Sequence, residues 1–213
     1  MSNNTPHIKN QEYSVNIDQY FSRGWEIFKQ YPGGFIGFLL VIFVISIFFN
    51  FLAVSVENIY GIVSIANFVL NPIFSAGFYI VALQIAKNRP IDFSDFFRGF
   101  NQFMQIFLVY LIGNILIAIG FLFFIIPGIY LAVAYVFSSL FVIEKKLSFW
   151  SALEASRKLI TKKWFSFVGL GIMLTLLNLA GLLLLGIGAL VTIPLSSCIM
   201  VAAFEDIVGL NGA

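Results

Sequence analysis

Long stretches without an ionisable residue dominate this chain. Four of its intervals contain no Asp, Glu, Lys, Arg or His: Gly33–Val56, Asn58–Ala86, Gly99–Ile143 and Trp164–Phe204. A membrane-spanning helix needs about 20 apolar residues, because each residue rises about 1.5 Å through a hydrocarbon core of about 30 Å. The first two intervals are therefore long enough for one span each, and the last two are long enough for two spans each.

The composition supports the same fold class. Of the 213 residues, 60% are hydrophobic and 10% are charged, whereas an average soluble domain is about 25% charged. A soluble fold would have too few charged residues to cover so much apolar surface. The formal net charge of +2 is too small to indicate a nucleic-acid partner. We therefore predict an all-α integral membrane protein.

Gly and Pro residues indicate where the two longest intervals divide. Pro127 lacks a backbone donor, so we expect one helix to end near Ile125 and the next to begin at Pro127. Gly186 and Gly188 mark a turn in the last interval. The division predicts six spans, paired as three hairpins: Gly34–Val54, Tyr60–Ala86, Phe103–Phe124, Pro127–Ile143, Phe165–Leu185 and Ala189–Phe204.

The two ends of the chain lie outside the predicted spans. We expect residues 1–14 to form a polar, disordered tail, residues 15–208 a single six-helix membrane domain, and residues 209–213 a short C-terminal tail. The first apolar run is longer than the core of a secretory signal and is preceded by polar, amphipathic sequence. We therefore interpret it as a retained span.

The basic residues predict the orientation of the spans. All twelve fall before the first span, between the second and third, or between the fourth and fifth: Lys9, Arg23, Lys29, Lys87, Arg89, Arg98, Lys145, Lys146, Arg157, Lys158, Lys162 and Lys163. With six spans these three segments lie on one side of the membrane. The positive-inside rule makes that side, and both termini, cytoplasmic.

An amphipathic stretch precedes each predicted hairpin. Apolar residues recur at helical spacing in all three stretches: Ile17, Tyr20, Phe21, Trp25 and Phe28; Phe93, Phe96, Phe97, Phe100 and Phe103; Phe149, Trp150, Leu153 and Ile160. We expect each stretch to lie along the inner membrane surface, with its Lys or Arg residues toward lipid headgroups. The second helix of each hairpin, which we call the returning helix, carries Pro72, Pro127 or Pro194. An amphipathic stretch followed by a hairpin with such a proline therefore occurs three times, which suggests an internal repeat.

Uncharged polar residues and prolines are the candidates within the spans. Asn50, Asn114 and Asn178 occupy the first, third and fifth spans. Since hydrogen bonds between membrane helices contribute about 0.6–2 kcal/mol, we expect these amides to join helices, with the lining of a substrate path as the alternative. Pro72 and Pro194 indicate either kinks or the broken helices of transporters.

Small residues predict which helices lie inside the bundle. They recur four positions apart on the second, fourth and sixth helices, as in Gly128 and Ala132 or Cys198 and Ala202. Such pairs allow close backbone approach in membranes. We therefore expect the three returning helices to face the bundle interior.

The predicted spans lack the residues that usually carry chemistry in membranes. They contain no Asp, Glu, Lys, Arg or His, although such residues mark proton relays and ion pathways. His7 is the only histidine and Cys198 the only cysteine. The sequence therefore has too few histidines for a His-rich metal site and too few cysteines for an internal disulfide, and its one histidine lies outside the spans, where a His-based triad is not expected. We therefore predict a non-enzymatic protein without a cofactor or a metal.

The segment Glu144–Lys163 is the most distinctive charged feature. It combines an amphipathic helix with Arg157, Lys158, Lys162 and Lys163. Each basic residue near an anionic leaflet contributes about 1 kcal/mol to membrane binding. Two interpretations remain open at this point, topological anchoring and recognition of an anionic lipid headgroup.

Four short runs resemble a known group of proteins. The runs Ile126–Tyr135, Phe141–Leu147 and Ala152–Arg157, followed by Lys163-Trp164, resemble bacterial multi-span membrane proteins related to the membrane domain of glycerophosphoryl diester phosphodiesterases. That group is largely of unknown function. The resemblance implies a six-helix domain in a bacterial plasma (inner) membrane. It implies no catalytic residue, because hydrolysis in the fused enzymes belongs to a separate soluble domain.

Two functional hypotheses follow from these observations. The first is a non-enzymatic membrane protein whose partners are anionic lipids or another membrane protein. The alternative is a small transporter or permease for an uncharged or lipid-like solute, with Asn114, Asn178 and the Pro-bearing helices lining the path.

Overall fold

The computed structural model describes residues 13–55, 60–184 and 186–211, and these residues form helices without strands. In chain order the helices are α1 (Ile17–Gln30), α2 (Pro32–Ser55), α3 (Tyr60–Ala86), a 3₁₀ helix (Phe93–Gln102), α4 (Phe103–Phe123), α5 (Ile125–Ala134), α6 (Ser138–Lys145), α7 (Phe149–Thr161), α8 (Trp164–Leu183) and α9 (Ala189–Val208). Six apolar segments are long enough to cross a membrane: Pro32–Ser55, Tyr60–Ala86, Phe93–Phe123, Ile125–Lys145, Trp164–Leu183 and Ala189–Val208. The predicted all-α, multi-span class is confirmed.

The observed spans agree with the predicted ones to within a few residues at most ends, and Tyr60–Ala86 agrees at both ends. Of the expected tails, residues 1–12, with the lone histidine, and residues 212–213 lie outside the described part of the chain. Tyr13 is described, and its hydroxyl donates to the carbonyl oxygen of Leu159 at 2.7 Å. This part of the expected tail therefore contacts the helical domain.

The spans pair as three hairpins. Helix α2 packs against α3, α4 against α5, and α8 against α9. A Cβ atom on Gly120 would lie 3.0 Å from the backbone of Gly128, and one on Gly188 would lie 2.6 Å from the carbonyl oxygen of Gly181. The glycines therefore permit the close helix approach in the second and third hairpins.

The returning helices form the interior of the bundle, which confirms the prediction made from their small residues. We compare the fraction of buried residues in the most apolar stretch of each span. This fraction is 56% in α3, 39% in the α5–α6 segment and 50% in α9. The corresponding fractions for the outgoing spans, which begin at Pro32, Phe93 and Trp164, are 11%, 22% and 17%. The outgoing spans therefore provide most of the outer surface.

The cationic side chains share one end of the bundle. Successive spans run in opposite directions, so every described Lys and Arg lies at this end, which we call the basic end.

Hydrogen bonds join α1 to α9 at the basic end. Arg23 of α1 donates from Nε and Nη2 to the two carboxylate oxygens of Glu205 on α9, at 3.1 and 3.0 Å. The Tyr20 hydroxyl donates to Asp206 at 3.0 Å. Helix α1 is therefore held against the end of α9.

Burial divides the bundle into two halves. The packed half, at the basic end, comprises α1, the 3₁₀ helix, α6, α7 and the adjoining residues 34–38, 72–86, 106–109, 167–170 and 194–204. The apolar half comprises residues 39–55, 60–71, 115–126, 171–184 and 187–193, where most large side chains are exposed. Leu122, for example, is 83% exposed and Ile126 is 80% exposed. Such a surface is suited to hydrocarbon, which is as apolar as Leu itself.

The three amphipathic stretches precede the three hairpins as predicted, and their apolar faces pack against the bundle. A Cβ atom on Gly24 of α1 would lie 2.8 Å from the backbone of Ile199 on α9. One on Gly99 of the 3₁₀ helix would lie 2.9 Å from the carbonyl oxygen of Ile73 on α3. Trp150 of α7 stays outside and is 58% exposed.

The fourth span is broken, whereas the sequence predicted one helix over Pro127–Ile143. A turn at residues 135–137 separates α5 from α6. Ser156 of α7 is fully buried in this break. Its hydroxyl donates to the Ala134 carbonyl at 2.7 Å and accepts from the Phe137 backbone N–H at 3.2 Å. Because a broken helix leaves backbone groups unpaired, Ser156 stabilises the break by satisfying one group on each side.

Candidate functional site

Two of the four cations singled out in the segment Glu144–Lys163 share a single carboxylate. Arg157 donates from Nε and Nη2 to the two oxygens of Glu154 at 2.9 and 2.8 Å. Lys158 Nζ lies 3.2 Å from the same carboxylate. The hydrogen bond from Arg157 lowers the pKa of Glu154 to about 2, against the opposing effect of burial. Much of the charge of Arg157 is therefore balanced within its own helix.

The other two cations, Lys162 and Lys163, are more available to an external partner than Arg157 and Lys158. Lys162 and Lys163 follow α7 and are exposed, and within residues 13–55, 60–184 and 186–211 neither forms a salt bridge. They precede Trp164 and Phe165, and the latter is 83% exposed. Lysines beside exposed aromatic side chains are typical of a membrane–water interface.

The three Asn candidates do not meet. Asn50 donates to the Ser46 carbonyl at 2.7 Å, and Asn114 donates to the Tyr110 carbonyl at 2.7 Å. Both side chains are exposed and bond within their own helices. The prediction that these two residues join helices is therefore wrong for the contacts that the structure describes. Each side-chain amide instead donates to a backbone carbonyl one turn earlier on its own helix.

Asn178 does join two helices, and it lies in a groove with other polar residues. Its amide donates to Ser196 Oγ on α9 at 2.8 Å. The surrounding cavity, of about 570 Å³, also contains the polar side chains of Tyr79, Thr175 and Ser197. No hydrogen-bond donor among the described residues reaches the Asn178 carbonyl oxygen. This oxygen is therefore a buried acceptor without a partner in the described part of the chain.

The three candidate prolines are not among the residues that line this groove. Helices α3 and α9 continue through Pro72 and Pro194, and both prolines are buried. Pro127 lies in the first turn of α5, which begins at Ile125, two residues before the predicted start. A missing backbone donor has little cost there, since the first N–H groups of a helix have no partner within it. Of the two alternatives for Pro72 and Pro194, kinks or broken helices, the broken helices are therefore absent from the described spans.

A buried ion pair lies where α3, α6 and the C-terminal segment meet. Lys87 Nζ is 2.6 Å from Glu144, and the two side chains are 9% and 4% exposed. The backbone N–H of Asn211 donates to the same carboxylate at 2.6 Å. Lys145 donates to the Asn211 side-chain oxygen at 2.8 Å. This part of the expected C-terminal tail is therefore bound to the end of α6.

A cavity opens beside this ion pair, and we call it the basic pocket. It has a volume of about 490 Å³ and lies between the end of α3, the 3₁₀ helix and the end of α6. Its lining residues are Ile80, Leu83, Gln84, Lys87, Arg89, Arg98, Asn101, Gln102, Ile143, Glu144, Lys146 and Asn211. Four cationic side chains therefore face a cavity that contains one carboxylate.

Local backbone structure fixes two of these cations. Asn88 adopts a left-handed conformation with φ of 53° after α3, and the following N–H, that of Arg89, donates to the Gln84 carbonyl at 3.0 Å. Lys146 ends α6 in the same conformation, with φ of 55°, and its N–H donates to Phe141. Both helices thus end in left-handed caps, which place Arg89 and Lys146 at the pocket.

The 3₁₀ helix supplies a third cation. Arg98 Nε lies 2.7 Å from Asp95, whose side chain is 3% exposed. The other Asp95 oxygen accepts from the backbone N–H of Asp92 at 2.9 Å, and Asp92 in turn accepts from Ser94. This reciprocal capping box fixes Asp95, and Asp95 then orients Arg98 at the pocket.

Positive charge is in excess within the pocket. Across the described residues, neither Arg89 nor Lys146 forms a salt bridge. Burial lowers the pKa of Lys146; Glu144 opposes this effect and Lys87 adds to it. An anion bound between these side chains would offset the repulsion.

The basic pocket was not among the sites predicted from the sequence. Its cations come from three separate segments, and only the packing of α3, the 3₁₀ helix and α6 brings them together. The available signal was the placement of Arg89 and Lys146 just after apolar runs, where helices end. Comparison with protein-family models, curated proteins and solved structures finds no match to this chain.

Proposed function

We propose that this chain is a non-enzymatic protein of the bacterial plasma (inner) membrane that associates with anionic lipids through its basic end. Every described Lys and Arg lies at this end. Basic residues are concentrated in cytoplasmic segments of membrane proteins. The basic end, with both termini, is therefore assigned to the cytoplasm.

The observation that carries the lipid proposal is the exposed pair Lys162 and Lys163 beside Phe165. The lysines have no salt-bridge partner in the described part of the chain, and the Phe165 side chain is 83% exposed. Aromatic insertion and attraction to anionic headgroups act together at such a site, and each basic residue contributes about 1 kcal/mol near an anionic leaflet. Lys158, which is 64% exposed in its side chain, adds to the same surface.

Lipid retention tests this proposal. The protein is purified from membranes containing phosphatidylglycerol and phosphatidylethanolamine, and the bound lipids are counted by mass spectrometry. The variant Lys162→Gln/Lys163→Gln should retain less phosphatidylglycerol than the wild type. The matched control, Lys162→Arg/Lys163→Arg, keeps the charge and should retain the wild-type amount. Equal retention by all three proteins would contradict the proposal.

Cysteine labelling tests the orientation. Cys198 is fully buried, so a membrane-impermeant maleimide should react slowly with the wild type. Lys146→Cys, at the basic end, should react only from the cytoplasmic side. Tyr60→Cys, at the start of α3, should react only from the opposite side. Labelling of both positions from one side would contradict the six-span topology, and reversed labelling would contradict the cytoplasmic assignment.

A small transporter for an uncharged or lipid-like solute is the alternative function. The groove at Asn178 favours it, because polar side chains such as those of Tyr79, Thr175 and Asn178 line a cavity of about 570 Å³ in a largely apolar surface. The flux of neutral solutes and of labelled lipids into reconstituted vesicles tests the alternative. Flux that is lost in Asn178→Leu and kept in Asn114→Leu would support it, and no flux across the panel would oppose it.

We also propose a relationship to the membrane domains of glycerophosphoryl diester phosphodiesterases, on the residues given above. Ser156 lies in one of the matching runs, and its hydroxyl forms hydrogen bonds with backbone groups on both sides of the break between α5 and α6. The relationship supports an accessory or binding role.

A further inference from the structure

We propose that the basic pocket binds a phosphate group, carried either by a lipid headgroup or by a small soluble phosphate ester. The inference deepens the proposed association with anionic lipids, and it rests on that proposal where the phosphate belongs to a lipid. The proposed phosphate site is the cavity between α3, the 3₁₀ helix and α6, and it is distinct from the Lys162–Lys163 surface.

The charge balance of the pocket favours an anion. Glu144 is engaged by Lys87 and Asn211, and Asp95 is engaged by Arg98. The charges of Arg89 and Lys146 remain uncompensated among the described residues.

The ends of the neighbouring helices reduce this excess without removing it. The C-termini of α3 and α6 adjoin the pocket, and each contributes about half a negative charge. Two cations therefore exceed a total of about one negative charge. A ligand carrying about one negative charge would balance the remainder.

The donor groups suit phosphate in particular. The planar guanidinium of an arginine matches phosphate oxygens with paired donors, and lysine adds a compact charge. Arg89 and Arg98 supply guanidinium groups, and the amides of Gln84, Asn101 and Gln102 supply neutral donors. A phosphate group has enough acceptor oxygens to engage several of these donors together.

The floor of the pocket strengthens these interactions. Ile80, Leu83 and Ile143 lie among the lining residues, and apolar walls reduce the screening of charges by water. The volume of about 490 Å³ lies within the range of about 300–1,000 Å³ typical of small-molecule sites. The pocket therefore has room for a phosphate group together with a glycerol-sized substituent.

A second cavity at the basic end provides a contrast. It measures about 440 Å³ and lies between α1 and α9, where Glu26, Glu205 and Asp206 accompany Arg23. Arg23 already donates to Glu205 with two hydrogen bonds. This cavity is similar in volume but carries an excess of carboxylates. The charge of the basic pocket is therefore specific to its residues and is not shared by every cavity at this end.

Two binding measurements test the proposal and distinguish the sources of phosphate. In lipid-free detergent micelles, inorganic phosphate and glycerol 3-phosphate are titrated by calorimetry. In phosphatidylcholine nanodiscs with and without phosphatidic acid, lipid binding is measured by native mass spectrometry. Arg89→Gln/Lys146→Gln should weaken binding by at least about tenfold, or about 1.4 kcal/mol. Arg89→Lys/Lys146→Arg keeps both charges and should retain most of the affinity.

Each outcome has a defined meaning. Binding of the soluble esters identifies a free phosphate ligand, and binding of phosphatidic acid alone identifies a lipid headgroup. No binding in either measurement, or equal binding by wild type and Arg89→Gln/Lys146→Gln, would overturn the pocket assignment. Unchanged thermal unfolding of the Gln variant excludes misfolding as the cause of a loss.

The pocket and the proposed lipid surface can fail separately. If Lys162→Gln/Lys163→Gln loses anionic lipid while Arg89→Gln/Lys146→Gln binds phosphate normally, the proposed function stands and the pocket assignment is wrong. If Arg89→Gln/Lys146→Gln loses phosphate binding while Lys162→Gln/Lys163→Gln retains the wild-type amount of phosphatidylglycerol, the pocket stands and the lipid surface is wrong.

Discussion

The packed half and the apolar half of this bundle use different means to hold similar helices together. In the packed half, α3 and α9 are almost continuously buried from Pro72 and Pro194 onward, and ion pairs such as Lys87–Glu144 join separate segments. In the apolar half the same helices carry large exposed side chains, such as Ile62 at 69% and Ile193 at 41% exposure. Lipid favours such exposure, so the apolar half needs fewer specific contacts.

The contrast shows where the chain specifies its structure. Hydrocarbon favours any apolar helix of sufficient length, but it does not select one packing of helices over another. Most of the specific polar contacts lie at the basic end, where buried polar groups must find partners. We therefore expect substitutions in the packed half to change stability strongly, and similar substitutions in the apolar half to change it little.

Breaking the buried ion pair should have the largest effect. Lys87→Met leaves Glu144 charged and buried without its cation, which costs about 3–5 kcal/mol. Lys87→Met/Glu144→Gln removes both charges and keeps an acceptor for Asn211, so it should recover much of this loss. Leu122→Ala, in the apolar half, should stay within about 0.5 kcal/mol of the wild type. Reversible unfolding in mixed micelles measures all three, and equal losses for Lys87→Met and Leu122→Ala would remove the contrast between the halves.

Adding a methyl group to a glycine should give opposite signs in the two halves. A Cβ atom on Gly77 of α3 would collide with the carbonyl oxygen of Phe96, so Gly77→Ala should destabilise by about 1–3 kcal/mol. Gly171 of α8 has open space around it, so Gly171→Ala should stabilise the helix by up to about 1 kcal/mol. Thermal unfolding of the pair provides the measurement. Stabilisation by both substitutions would show that packing at α3 is looser than described, and destabilisation by both would show that Gly171 is not in open space.

Removing the Ser156 hydroxyl tests the break in the fourth span. Ser156→Ala leaves the Ala134 carbonyl and the Phe137 N–H without their buried partner, at a cost of about 1–3 kcal/mol. Hydrogen exchange should speed up at residues 134–138. Ser151→Ala, on an exposed position of the same helix, is the control and should change neither quantity. Unchanged exchange in Ser156→Ala would mean that the break is stable without α7.

The spans were predictable from the sequence because their signal is local. Length and absence of charge were enough to locate Tyr60–Ala86 at both ends. The break at residues 135–137 could not be predicted in the same way, because those residues include neither Gly nor Pro and their partner, Ser156, lies on another helix. Tertiary packing decides such a feature.

The candidate site was only partly predictable, for a related reason. The density of cations along the chain pointed to Arg157 and Lys158, but Glu154 interacts with both. Arg89 and Lys146 are far apart in the sequence and come together only through the packing of α3 and α6. Charge density along a chain therefore identifies an interface, whereas the balance of charges at a site depends on the fold.

The smallest predicted effect is the pH dependence carried by Glu154. Arg157 lowers the pKa of this carboxyl from 4.5 to about 2, so its stabilising contribution is present above pH 4.5 and is lost as the pH falls through about 2. The pair is partly exposed, with Glu154 at 35% and Arg157 at 38% side-chain exposure. Solvent screening therefore limits its contribution to about 1 kcal/mol or less.

Unfolding temperatures of wild type and Glu154→Gln test this dependence. The two proteins should differ most near neutral pH and low salt, and the difference should shrink as the pH falls below 4.5 or as salt is added. Lys158→Gln removes the weaker partner and should show a smaller version of the same trend. A difference that is independent of pH would mean that Glu154 contributes through packing alone, and the surface charges of α7 would then be free to interact with lipid without first losing an internal partner.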